Sequence, residues 1–218
     1  MNLAKKAFKK LYPDKEITRD MNVKYSARFK PYNANVRYNS KKIIFKLSKD
    51  WKEVSENIKI GMIQQLFLKV YNEKRDTLYT ELYESFVKNL PKFSVADEID
   101  PLLKESFDRN NEKYFNRFME TPNLVWGRES FNKLGSYEYA SNTIIISTVL
   151  KKREDLLDYV MYHEMLHKKL KYKSKNGRNY YHTSKFKKLE SEFEDKDAEK
   201  KLEHFLKRKR IARAFQLF

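Results

Sequence analysis

Apolar residues recur along this chain in two rhythms, one near every fourth position and one at every second. Leu3, Ala7, Phe8 and Leu11 share a face, which predicts a helix over 1–12 that the Pro13–Asp14 pair ends. The stretch "ARFKPYNANVRYNSKKIIFKL" reads as strands and turns, with its strongest strand on Ile43, Ile44, Phe45 and Leu47. In "WKEVSENIKIGMIQQLFLKVYNEK", Val54, Ile58, Met62, Leu66 and Val70 form one helical stripe, and another helix is predicted over 77–90. Pro91 and Pro101 bracket "KFSVADEID", the expected joint between an N-terminal α+β region over 1–95 and a second domain over 101–218.

The second half follows a similar order. An amphipathic stretch over 101–119 leads into "NLVWGRESFNKLGSYEYASNTIIISTVL", whose strand patterns are separated by Gly135 and the Ser141–Asn142 turn. Tyr137 and Tyr139 alternate with polar residues, as on a half-exposed strand. Leu156, Tyr159, Val160, Leu166 and Leu170 then predict a helix over 155–171, acidic near its start and basic at its end, as the helix dipole favours. Gly177 breaks the following loop, and 183–193 and 197–215 read as two more helices. A shift of 100 residues lays Ile44 on Ile144, Ile60 on Val160, Leu66 on Leu166, Phe86 on Phe186 and Phe93 on Phe193 without a gap. Two readings stand: a degenerate duplication, or a shared element order without common ancestry. On the first, Ile63, Gln64, Phe67 and Leu82 replace His163, Glu164, His167 and His182, and the N-terminal half cannot bind zinc.

Composition narrows the chemistry. The 218 residues are 40% apolar, enough for a folded core despite 35% charged content. There is no cysteine, so disulfides, cysteine zinc ribbons, iron–sulfur clusters and thiol catalysis are excluded, and any metal site must draw on His, Asp or Glu. No apolar run approaches the roughly 20 residues of a membrane helix, and the first residues lack a signal-peptide core, so the expected location is cytoplasmic. Lys and Arg outnumber Asp and Glu by 47 to 30, a formal charge of +17. That excess points to DNA or another polyanion as partner, with "KKLKYKSKNGR" and "KRKRIAR" as candidate contacts and solvated helix faces as the alternative.

The segment "YVMYHEMLHKKL" concentrates candidate chemistry. His163 and His167 lie one helical turn apart and can address a single ion, while Glu164, about 100° round the helix, can reach a water on that ion. Two imidazoles do not close a site, and His182, His204 and the acidic residues beyond the helix are the candidates for a third ligand. His182 is favoured because the loop containing Gly177 can turn the chain back; His204 sits among cations in "KKLEHFLKRKR" and reads as a surface or core histidine. Zn²⁺ is the expected ion.

The run from "NLVWGRESFNKLGSYEYASNTIIIS" through "YHEMLH" to "HTSKF", about residues 120–195, resembles the SprT-like zinc metalloproteases, which include the Spartan proteases acting on DNA–protein crosslinks. The features that carry the likeness are Trp126, Gly135, Ile144 to Ile146, His163 to His167, and His182 with Phe186. The resemblance implies a zincin-like α+β fold, a small antiparallel or mixed sheet packed on the HExxH helix. It also implies zinc held by His163, His167 and His182, with Glu164 as general base for peptide hydrolysis. Thr183 stands where the family usually has Gly, and the cysteine ribbon of many members is absent. Relatives that use a distal Glu make Glu190, Glu192 and Glu194 rivals to His182. A different class of function stays open beside this one, a nucleic-acid-binding or scaffold protein whose zinc site is structural or autoinhibited.

Overall fold

Ile43, Phe45 and Leu47 are fully buried and alternate with Lys42, Ile44 and Lys46, and this period of two decides which face of the first sheet turns inward. The protein, described as a computed structural model over residues 1–93, 96–175 and 178–215, divides into two compact units. One comprises Met1–Phe93 with Lys173–Tyr180, the other Ser94–Tyr172 with Tyr181–Phe218.

In the first unit, α1 (Leu3–Leu11) starts at Asn2, whose side chain accepts from the Lys5 amide. Then come β1 (Asp20–Ser26), β2 (Ala34–Tyr38), β3 (Lys42–Ser48), α2 (Glu56–Val70) and α3 (Leu78–Asn89). The sheet order is β1-β3-β2, with β1 parallel and β2 antiparallel to β3. Phe8, Phe45, Trp51, Ile63 and Phe67 belong to its core. The sequence pattern shows no strand over 20–26, because β1 earns its place only as the parallel partner of β3, a pairing that local alternation does not encode.

In the second unit, α4 (Pro101–Phe115) begins with Asp100 accepting from two amides and Pro101 in the first turn, and ends where Asn116 turns left-handed. It is followed by β4 (Asn123–Gly127), β5 (Gly135–Glu138), β6 (Thr143–Ser147) and α5 (Glu154–Leu170). The segment read as a loop is a short antiparallel hairpin, β7 (Lys173–Lys175) and β8 (Arg178–Tyr180), whose residues are those assigned to the first unit; Gly177 lies outside the described residues. The chain finishes with α6 (Ser184–Glu190) and α7 (Ala198–Phe215). The order β4-β6-β5, with β4 parallel and β5 antiparallel to β6, gives the mixed sheet expected against the histidine-bearing helix. Leu124, Ile144, Ile146, Leu157, Met161 and Phe186 are core residues here.

The two sheets share strand order and sense, but the gapless alignment fails inside them. Ile44 is half-buried where Ile144 is fully buried, and Phe45 is fully buried where Ile145 is half-buried. Ser48 and Ser147, each at the start of a 3₁₀ turn, align after a one-residue slip, and such a slip exchanges the faces of a strand. The helices keep the original register, with Ile60 and Val160, and Gln64 and Glu164, all buried. Leu82 is not the counterpart of His182: α3 and α6 are both capped by threonine, Thr77 and Thr183, and matching the caps sets Asp76 in that place.

Candidate metal site

Helix α5 holds the site because its sequence fits a helix buried along one side. Leu156, Leu157, Val160, Met161 and Met165 are buried, acids occupy its first turn, and His167, Lys168 and Lys169 its last. His163 and His167 therefore project together, with ring centroids 4.8 Å apart. After the β7–β8 hairpin the chain brings in His182, immediately before Thr183, whose hydroxyl accepts from the Phe186 amide and starts α6. Phe186 is fully buried, and its ring lies 5.0, 4.7 and 4.9 Å from those of His163, His167 and His182.

The three imidazoles converge through their Nε2 atoms. His163 Nε2 is 3.1 Å from that of His167 and 3.2 Å from that of His182, and the three residues can offer ligand atoms all within 4.8 Å of one another. Three nitrogens around a tetrahedral zinc, each about 2.0–2.1 Å from it, stand about 3.3 Å apart, so the two spacings to His163 match that ion and the third pair lies within 4.8 Å. His204 lies exposed on α7, outside this cluster. Among the rival carboxylates, Glu192 is exposed and Glu194 pairs with Lys113. Glu190 does reach the site, but at the far nitrogen of His163, with Oε1 2.5 Å from Nδ1.

Charges and burial tune each group. Burial holds His167 down at about 4, helped by the neighbouring His163 and His182, and His182 is lowered by burial, His163 and Lys187. Burial also presses His163 downward, but the hydrogen bond to Glu190 and the charges of Glu164 and Glu190 outweigh it and leave its pKa raised. Glu190 is lowered in turn by its bond to His163. Glu164 is only 4% exposed, and burial pushes its carboxyl up to about 7 against the pull of His163, Lys133 and the Tyr137 amide. Its Oε2 and the His167 Nδ1 are buried without a hydrogen-bond partner among the described residues. A buried carboxylate near neutrality with one free oxygen can take up or release a proton at ordinary pH.

Two supports were not read as such from the sequence. Gly135 begins β5 directly against Glu164, where a Cβ would fall 2.4 Å from Oε1. The sequence marks this glycine as a turn and as part of the family likeness, but its closeness to a side chain of α5 arises from strand–helix packing. The Tyr139 hydroxyl donates to the His167 carbonyl at 3.0 Å and ties the end of α5 to the segment after β5. Its alternation with polar residues carried no sign of that bond.

The SprT-like family model matches residues 103–204. No curated protein matches the chain. Among solved structures, the crystal structure of the metallopeptidase zymogen of Methanocaldococcus jannaschii jannalysin is 19% identical, with a TM-score of 0.38 over 49% of this chain and 95% of that one. The residues matched by the SprT-like family model include His163, Glu164, His167 and His182.

Proposed function

We propose that the protein is a zinc-dependent metallopeptidase. The observation that carries this reading is the convergence of three Nε2 atoms beside a buried, half-satisfied Glu164. His163, His167 and His182 would hold the ion, which when bound supplies Lewis acidity, polarising the scissile carbonyl and lowering the pKa of the attacking water towards about 7. Glu164 accepts the proton of the attacking water and delivers it to the leaving amine, a role suited to a carboxyl pushed up to about 7. Strand β5 lies at the sheet edge, and its Tyr137 amide interacts with Glu164. A peptide adding to that edge runs past the base and is gripped by its main chain, which favours broad specificity. Glu164→Gln is expected to keep bound zinc and lose about 10²–10⁴-fold in peptidase rate, measured on an unstructured protein substrate. Unchanged cleavage would remove Glu164 from the role of base, and zinc without cleavage under any condition would favour the scaffold reading.

A polyanionic partner, with DNA-bound proteins as the substrate class, extends this reading. The "KRKRIAR" segment on α7 contributes less than its charge suggests. Arg210 donates to the Phe131 carbonyl at 2.6 Å and Arg213 lies over the Phe131 ring, both packing the helix in place. Arg208 and Lys209 are left around Phe205, beside Arg153 and Lys201, each of which already pairs with an aspartate. The earlier "KKLKYKSKNGR" segment includes Asn176 and Gly177, which lie outside the described residues. DNA affinity is expected to fall steeply with salt, as counterion release requires; an affinity flat between 50 and 200 mM salt would exclude phosphate contacts.

A further inference from the structure

His163 is addressed from both ring nitrogens by the two ends of one short helix. Its Nε2 meets His182, two residues before α6 starts, while its Nδ1 meets Glu190, the last residue of α6. The register of α6 on α5 is fixed at points that owe nothing to these polar contacts. Phe186 is fully buried against the histidine rings, and the Tyr162 hydroxyl donates to the Leu189 carbonyl at 2.5 Å. Glu190 is therefore delivered to His163 by packing, and the side chains of both partners are about three-quarters buried, at 24% and 26% exposure.

From this geometry we infer that Glu190 is a positioning residue for the metal site, holding His163 as the Nδ1–H tautomer with its Nε2 lone pair turned toward the ion. A carboxylate behind a ligating imidazole does two things: it fixes the ring's orientation and raises the basicity of the nitrogen that binds. The arrangement also separates the distal groups. His182 stands on the ligand side of His163 and Glu190 on the opposite side, so the carboxylate that sequence alone leaves as a rival ligand takes a different task. His167 Nδ1 is buried without a hydrogen-bond partner among the described residues, so within that set His163 alone of the α5 pair is held by a carboxylate.

The inference rests on the zinc reading of the site, and its test keeps the two apart. Zinc affinity of the full chain is measured at fixed pH by competition with a chromophoric chelator, for the natural protein, Glu190→Gln and Glu190→Ala. Removal of the carboxylate in Glu190→Ala is expected to weaken zinc about 10–100-fold. Glu190→Gln, which still offers an oxygen acceptor, is expected to recover part of that loss. Alanine affinity within twofold of the natural protein would overturn the inference. So would a cobalt-substituted protein whose absorption spectrum reports a change in coordination number in Glu190→Gln, because that makes Glu190 a ligand. Failure of the natural protein to bind zinc would instead sink the metal reading, and this inference with it. Should the variants not fold, nitrogen-15 NMR of the natural zinc-loaded protein decides: His163 must carry its proton on Nδ1, and a proton on Nε2 would refute the assignment.

Discussion

At the scale of single residues, Glu164 shows how burial and chemistry bind together. Its folded pKa of about 7 lies above the ordinary 4.5, so the folded protein holds this proton more tightly than the unfolded chain. The stability associated with that proton is fully present below about pH 4.5 and is lost as pH rises through about 7. Zinc-free protein is therefore expected to lose stability relative to zinc-free Glu164→Gln across this window. The loss should reach about 3 kcal/mol at about 1.4 kcal/mol per unit. Urea titrations of the two proteins in chelator at several pH values measure it, and a pH-independent difference would contradict the burial account. The four candidate residues that the structure brings together are legible in sequence, because helical spacing groups His163, Glu164 and His167, and His182 lies at the start of the next helical pattern. Glu190 as a supporter was not, since nothing in its spacing tells a ligand from the group behind one.

At the scale of elements, the site depends on how closely β5 approaches α5. Gly135 permits that approach, because any side chain there meets Glu164. Gly135→Ala is expected to destabilise the protein by about 1–3 kcal/mol through overpacking and to lower peptidase activity by displacing the base. Combining it with Glu164→Ala should recover much of the stability, because the clash then loses its second party. A double-variant stability equal to the sum of the single losses would show that Gly135 matters elsewhere. The helices follow their apolar stripes: α2 lies within the stretch its periodicity predicts, and α5 is offset from its own by one residue at each end. Strands fared less evenly. β3 and β6 were evident from dense apolar residues, whereas β1 was missed, because a parallel strand draws its hydrogen bonds from a partner some twenty residues away.

At the scale of the whole molecule, two units repeat one strand order, and among the described residues only the second gathers side chains that could hold a metal. Where Glu164 leaves Oε2 without a partner among the described residues, the corresponding Gln64 is buried and bonded at both ends: its amide donates to the Ala7 carbonyl at 3.3 Å, and its oxygen accepts from the Thr77 hydroxyl at 2.6 Å. Ile63 and Phe67, fully buried, fill the places of His163 and His167. The protein is therefore expected to bind one zinc per chain by elemental analysis, and His163→Ala to bind close to none. Two zinc ions per chain would show that the first unit supplies ligands by another route. Among the described residues no helix is long and apolar enough to cross a membrane.

The sequence by itself determined the helices, the absence of thiol chemistry, the basic charge, and the pairing of His163 with His167 around Glu164. These follow from covalent order and the 3.6-residue turn, which act over a few residues. Only tertiary structure decided the parallel strands, the one-residue slip between the two sheets, the closeness of Gly135 to Glu164, and the place of Glu190 behind His163. Each of these depends on contacts within a unit between segments far apart in the chain, set by which faces pack together, and short-range patterning holds no record of them.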